Sequence, residues 1–182
     1  LMMGLAFCAT PIVRLILTEK WLPCVPYLQI FCITYMFWPI HTANLNAINA
    51  MGRSDYFLKL EIAKKAIGMI LLLSTMHFGV MVMAYSLLVS TVTSMIINSW
   101  PNKTLLGYSF KEQMVDIFPG IFLALIMGIA ISLIRLLMLP DIVTLAIQIL
   151  VGAAIYIGLS AIFKVESFEY LWNMVKSVLN KK

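Results

Sequence analysis

Charged residues fall in blocks along this chain. From Trp21 to Gly52, and again from Ala66 to Asn102, there is no Asp, Glu, Lys or Arg, and the island between, Gly52 to Lys65, reads G-R-S-D-Y-F-L-K-L-E-I-A-K-K. About 20 apolar residues suffice to cross a bilayer, so an island between two such runs predicts a loop at a membrane surface. The second run, as one helix rising about 1.5 Å per residue, would reach roughly 55 Å, too long for one crossing. His77-Phe78-Gly79 divides it, and a short uncharged break suits a tight turn on the outer side. Taken along the chain, the pattern predicts spans at about residues 1–17, 23–50, 56–76, 80–99, 110–138 and 142–163. In the tail, residues 164–182, Val165, Phe168, Leu171, Trp172, Val175 and Val178 recur at helical spacing, which predicts a short amphipathic helix lying in the membrane interface.

Local signals refine these limits. Pro11 and Pro39 sit inside predicted spans, where each removes a backbone hydrogen bond and kinks the helix. Pro23 and Pro26 fall in a first turn beside an interfacial Trp21, where proline costs least. Ser54 or Asp55 is placed to cap the third span, and Asp141, after Pro140, to cap the sixth. Ser109-Phe110-Lys111-Glu112 has capping-box spacing, with Asp116 one turn on, near the positive helix end. Trp100-Pro101 closes the fourth span. The chain opens on Leu1 in mid-hydrophobic sequence with no secretory cleavage signal, and reads as a fragment cut inside a helix.

Composition agrees with the pattern. The chain is 62% apolar and 12% charged, against about 45–50% and about 25% in soluble domains, so the fold class expected is an all-α integral membrane protein. The net charge of +5 then concerns topology. Alternate loops place Arg53, Lys59, Lys64, Lys65, Lys103, Lys111, Lys164, Lys176, Lys181 and Lys182 on one side and only Arg14, Lys20 and Arg135 on the other. Ten cations against three orient the island, the capping-box loop and the C-terminus to the cytoplasm. The sequon Asn102-Lys103-Thr104 is on that side and is expected to be unmodified. No basic stripe interleaved with aromatics points to nucleic acid. Cys8, Cys24 and Cys32 lie in apolar stretches without C-x-x-C spacing and read as small hydrophobes.

Chemistry concentrates on the second span. Thr34, His41, Thr42, Asn44, Asn46 and Asn49 cluster around Pro39 in an otherwise apolar helix, with Asn46 and Asn49 on one face. They either hydrogen-bond to neighbouring helices or line a water-filled cavity. Arg14 and Arg135 lie near span ends and either snorkel to the headgroups or face a polar cavity. His41 has no second histidine or carboxylate at ligand spacing, so neither a metal nor another cofactor is expected. No nucleophile with a base and no carboxylate pair appears, so the chain does not read as an enzyme. All eight acids fall at span ends or in loops, which leaves ion coupling unsupported.

The run N-L-N-A-I-N-A-M-G-R-S-D-Y-F-L-K-L-E-I-A-K-K, preceded by L-T-E-K-W-L-P-C-V-P-Y-L-Q-I and followed by H-F-G and L-L-G-Y-S-F-K-E-Q-M-V-D-I-F-P, resembles bacterial polysaccharide repeat-unit flippases. These are the O-antigen or teichuronic acid type, lipopolysaccharide biosynthesis exporters of the multidrug/oligosaccharidyl-lipid/polysaccharide superfamily. The resemblance implies two pseudo-symmetric six-helix bundles around a cavity that opens alternately to each membrane face. Residues 1–163 would be the second lobe and residues 164–182 its cytoplasmic tail. It further implies a multi-pass protein of the bacterial inner membrane. The partners implied are an undecaprenyl-pyrophosphate-linked oligosaccharide as substrate, membrane lipids, and an N-terminal lobe of the same protein. On chemical grounds the tentative cavity residues are Arg14, His41, Asn44, Asn46, Asn49 and Arg135. A cation-coupled multidrug or metabolite antiporter of the same superfamily and a non-transporting membrane subunit are the alternatives.

Overall fold

The computed structural model describes residues 1–163 and 165–179; Lys164, Lys181 and Lys182, counted above for orientation and tail, lie outside the described residues. Among these residues there are nine α-helices, three short 3-10 segments and no strand. The helices are α1 (Met2–Phe7), α2 (Ala9–Leu17), α3 (Val25–Met36), α4 (Trp38–Ala50), α5 (Ser54–Thr75), α6 (Val80–Leu106), α7 (Phe110–Leu133), α8 (Asp141–Ile162) and α9 (Glu166–Leu179).

Three of them, α6, α7 with its 3-10 extension to Leu137, and α8, are long and apolar enough to cross a membrane. Helix α5 is long enough, but its first half carries Asp55, Lys59, Glu61, Lys64 and Lys65. The other expected spans are divided, and both divisions trace to proline. The first is broken at Cys8 and the second at Phe37. A proline ring clashes with the carbonyl four residues back, Phe7 for Pro11 and Tyr35 for Pro39. The chain therefore ends one helix before each proline and starts another with the proline in its first turn, where no N–H is needed. Each expected kink thus takes the form of a one-residue interruption, two or three residues upstream of its proline, across which Cys8 N–H still bonds to the Gly4 carbonyl and Phe37 N–H to that of Thr34.

The turns follow from short-range chemistry. Gly79, at φ 98°, lets the 3-10 turn Met76–Phe78 reverse the chain between α5 and α6, as the uncharged break predicts. Ser109 and Glu112 form the expected capping box, each bonding to the other's backbone N–H. The two other expected caps are absent. Arg53 is the N-cap of α5, and Asp55 turns back to pair with its guanidinium at 3.2 Å. Pro140 is the N-cap of α8, and Asp141 pairs with Arg14 instead. Helix α6 also runs through Pro101 to Leu106, beyond the predicted end at Ser99.

The interior mixes apolar side chains, Val13, Ile48, Leu123 and Ile131 among them, with the buried polar groups of Asn44, Asn98, Ser99, Asn102, Gln113 and Gln148, while Ile16, Met69, Val115, Phe118 and Leu150 are exposed. An apolar exterior around an interior that holds hydrogen-bonded polar groups is what a hydrocarbon solvent selects. Helix α6 lies against α3, α4 and α5, α8 against α2 and α7, and α1 joins the halves by packing on α3 and α7. The α1–α7 approach requires Gly128, because a Cβ there would overlap the Phe7 ring. In the tail α9, Phe168 stacks on Trp172 with centroids 6.2 Å apart.

Gly128→Val is expected to destabilise the protein by about 1–3 kcal/mol, the usual range for overpacking. Gly120→Ala, on the same helix with open space around it, should be close to neutral. Unfolding of both variants in detergent, monitored by tryptophan fluorescence, checks the pair.

Candidate functional site

Two adjoining polar features organise the α3–α6 side of the bundle. The first is a buried amide network joining α4, α6 and α7. Asn44 Nδ2 donates to Gln113 Oε1 at 2.9 Å and to Ser99 Oγ at 3.2 Å, while Asn44 Oδ1 accepts from Asn102 Nδ2 at 2.6 Å. Ser99 Oγ lies 2.8 Å from the Met95 carbonyl and 3.0 Å from Gln113 Oε1, so its single proton serves one of them at a time. Every member is at most 4% exposed. Among the described residues, Asn98 Oδ1, Asn102 Oδ1 and Gln113 Nε2 have no partner, two acceptors and one donor in the interior.

The second feature is a cavity of about 340 Å³ where the α3–α4 break faces α5 and α6, lined by Trp38, His41, Glu61, Lys64, Thr91 and Ser94 among others. His41 joins the cavity to α6, its Nδ1 lying 3.1 Å from Asn98 Nδ2, one residue before Ser99 of the network. With the amide nitrogen as donor, Nδ1 accepts and the neutral ring carries its proton on Nε2. Lys64 is largely buried, its side chain 13% exposed, and its ammonium bonds to Glu61 at 2.5 Å. Lys65 reaches the same cavity from the exposed side of α5. The concavity thus brings two cations, one carboxylate, several hydroxyls and an aromatic face together.

The sequence-predicted residues divide between these features and the surface. His41 and Asn44 are brought into the site. Asn46 and Asn49 are exposed on the other side of α4. Arg14 is exposed on α2 and pairs with Asp141 at 3.3 Å and Glu19 at 3.8 Å. Arg135 is exposed in the 3-10 segment Ile134–Leu137. Asn102, the sequon residue, is 1% exposed and engaged with Asn44, which closes it to glycosylation as folded. Among the described residues no group of His, Cys, Asp or Glu could hold a metal ion.

Sequence reasoning missed Glu61 and Lys64, which were grouped with the surface island. Their signal was position: with α5 beginning at Ser54, Lys64 lies ten residues in, about 15 Å of rise from the helix start. It also missed the α6 amides, although Asn98, Ser99 and Asn102 share a face at helical spacing. Comparison of the chain with protein-family models, with curated proteins and with solved structures gives no match in any of the three.

Beside the network, the α6–α7 loop holds a titratable contact. The Tyr108 hydroxyl donates to the Asp116 carboxylate, which pushes the phenol up to about 12. The Arg53 guanidinium holds the Asp55 carboxyl below its usual range.

Asn44→Leu removes the hub and leaves Ser99, Asn102 and Gln113 without its amide. It is expected to cost at least about 1–3 kcal/mol, the penalty for one orphaned buried group, whereas Asn46→Leu should change stability little; thermal unfolding of the two variants measures the difference. The Tyr108 contact contributes in full below the ordinary tyrosine value, and its contribution fades as pH rises through about 12. Absorbance at 295 nm, titrated for wild type and Tyr108→Phe, should differ by one phenol ionising near pH 12.

Proposed function

We propose that this chain is one lobe of a bacterial flippase that turns lipid-linked oligosaccharide over between membrane leaflets. The observation that carries the reading is the cavity at the α3–α4 break. It combines the Lys64 ammonium, the Lys65 side chain, the Thr91 and Ser94 hydroxyls and the Trp38 ring inside an otherwise apolar helical bundle. A pyrophosphate asks for the cations, and a glycan asks for hydroxyl partners and an aromatic face. The six predicted spans form a single bundle in this account, α1–α2 and α3–α4 each counting as one interrupted crossing. Interrupted helices beside a substrate site are the usual construction of alternating-access carriers, because exposed backbone groups are tolerated where they line a cavity.

In this mechanism Lys64 is released from Glu61 as the pyrophosphate arrives, and the carboxylate is left to the neighbouring hydroxyls. The α3–α4 break is the hinge through which the lobe rocks against its counterpart. The protein then resides in the bacterial inner membrane with its C-terminus in the cytoplasm, where the cation-rich loops lie, and α9 rests in the interface.

Glu61 supports a second reading, a cation-coupled antiporter, since it brings a carboxylate into the cavity. The Glu61–Lys64 ion pair must open in either reading, and Lys65 leaves the cavity's cations in excess over its one carboxylate, which favours the anionic substrate.

The full-length polypeptide reconstituted with a fluorescent undecaprenyl-pyrophosphate oligosaccharide should expose the probe to an external quencher in a protein-dependent manner. Lys64→Glu should slow exposure about tenfold or more, the equivalent of one charge-assisted hydrogen bond, and Arg135→Glu should not. Absence of protein-dependent exposure would overturn the flippase reading. Unimpaired exposure with Lys64→Glu would remove this cavity from it.

A further inference from the structure

The polar cavity contains a donor whose direction is set by a residue outside its wall. His41 lines the cavity and Asn98 does not, yet His41 Nδ1 lies 3.1 Å from Asn98 Nδ2. Asn98 is 0% exposed on α6, and its Oδ1 has no partner among the described residues. Turned round, the amide would leave both its hydrogens unpaired in the interior, where an orphaned N–H is rarer than an under-satisfied oxygen. The amide nitrogen therefore donates and Nδ1 accepts. An accepting Nδ1 carries no proton, so the ring is neutral and its single N–H is at Nε2, on the side of the ring away from Asn98. The ring itself is partly exposed, and Nε2 forms no hydrogen bond among the described residues.

We propose that His41 is a specificity-determining residue of this cavity, its Nε2–H donating to a phosphoryl oxygen of the substrate, and that Asn98 is the positioning residue that keeps the proton on Nε2. The inference rests on the reading of the cavity as the pyrophosphate site. The other donors there behave differently. Lys64 is held by Glu61 at 2.5 Å and is free only once that pair opens. The Thr91 and Ser94 hydroxyls can turn either to donate or to accept. An imidazole with a fixed tautomer can only donate at Nε2, so it offers nothing to an ammonium, which would need an acceptor there. A hydrogen bond to a charged oxygen is worth more than one to a neutral oxygen, so the phosphoryl group is preferred to a sugar hydroxyl. His41 thus selects for an anion without adding charge to the cavity.

The test uses the full chain in lipid nanodiscs, with histidine isotopically labelled at both ring nitrogens and the exposed His77 replaced by Asn, so that one imidazole reports. Nitrogen NMR of this parent protein should show Nε2 protonated and Nδ1 not, and Asn98→Leu should turn that into a mixture of tautomers. Inorganic pyrophosphate should shift the Nε2 signal, and calorimetry gives its affinity. His41→Gln, whose amide nitrogen can reach the Nε2 position, should keep most of that affinity. His41→Asn, which reaches only the Nδ1 position, should lose about tenfold or more, the equivalent of one hydrogen bond to a charged acceptor. A proton on Nδ1 in the parent would overturn the proposal, and that measurement does not depend on whether the variants fold. Equal losses with Gln and Asn, as expected of a merely structural histidine, would also overturn it. Pyrophosphate binding that Lys64→Gln weakens and His41→Asn leaves unchanged would overturn it while the flippase reading stands. No pyrophosphate binding by the parent would overturn both.

Discussion

Asn44 carries the structural problem that the rest of the bundle solves. An amide surrounded by hydrocarbon must place two donors and an acceptor, and each left open costs more there than in water. Helix α6 supplies Ser99 and Asn102, and α7 supplies Gln113, so three helices are fixed in rotation and in height by one side chain. Apolar packing alone distinguishes poorly between rotations of a helix whose surroundings are equally apolar. In this bundle, hydrogen-bond direction supplies the distinction.

The proline breaks are the complement to that constraint. They divide the first two hydrophobic segments into short pieces, and the α3–α4 interruption opens toward the polar cavity, which Trp38 lines with His41. On the other side of the bundle α1 is held to α7 by close packing of Phe7 on Gly128.

How much of this was legible in the sequence depended on the range of the interaction. The Ser109–Glu112 box and the Gly79 turn are decided within four residues, and the chain displays both openly. The caps expected at Asp55 and Asp141 failed because a competing charge, Arg53 or Arg14, took the carboxylate, and at Ser54 because the helix starts one residue earlier, with Arg53 in the cap position. For Arg14 and Asp141 that competitor is 127 positions away and invisible to local reading. The polar character of α4 was plain, but not which face would be buried: Asn44 and Asn49 are five residues apart, on opposed sides, and only packing against α6 and α7 chose Asn44. Lys64 and Glu61 were hidden by their neighbours in the charged island, since nothing local says that α5 carries them down beside His41.

The central claim is that the cavity beside Lys64 admits water while the outward apolar face lies in lipid, and α6 allows both to be sampled at nearly the same depth. In a background with Cys8, Cys24 and Cys32 replaced by serine or alanine, Ser94→Cys lines the Lys64 cavity and Ile96→Cys lies on the outward surface. Reaction of each with a small anionic thiol reagent in membranes is the direct measurement. The account predicts fast modification at position 94, slowed further by Lys64→Gln, and little at position 96. Faster modification at 96 than at 94 would contradict it.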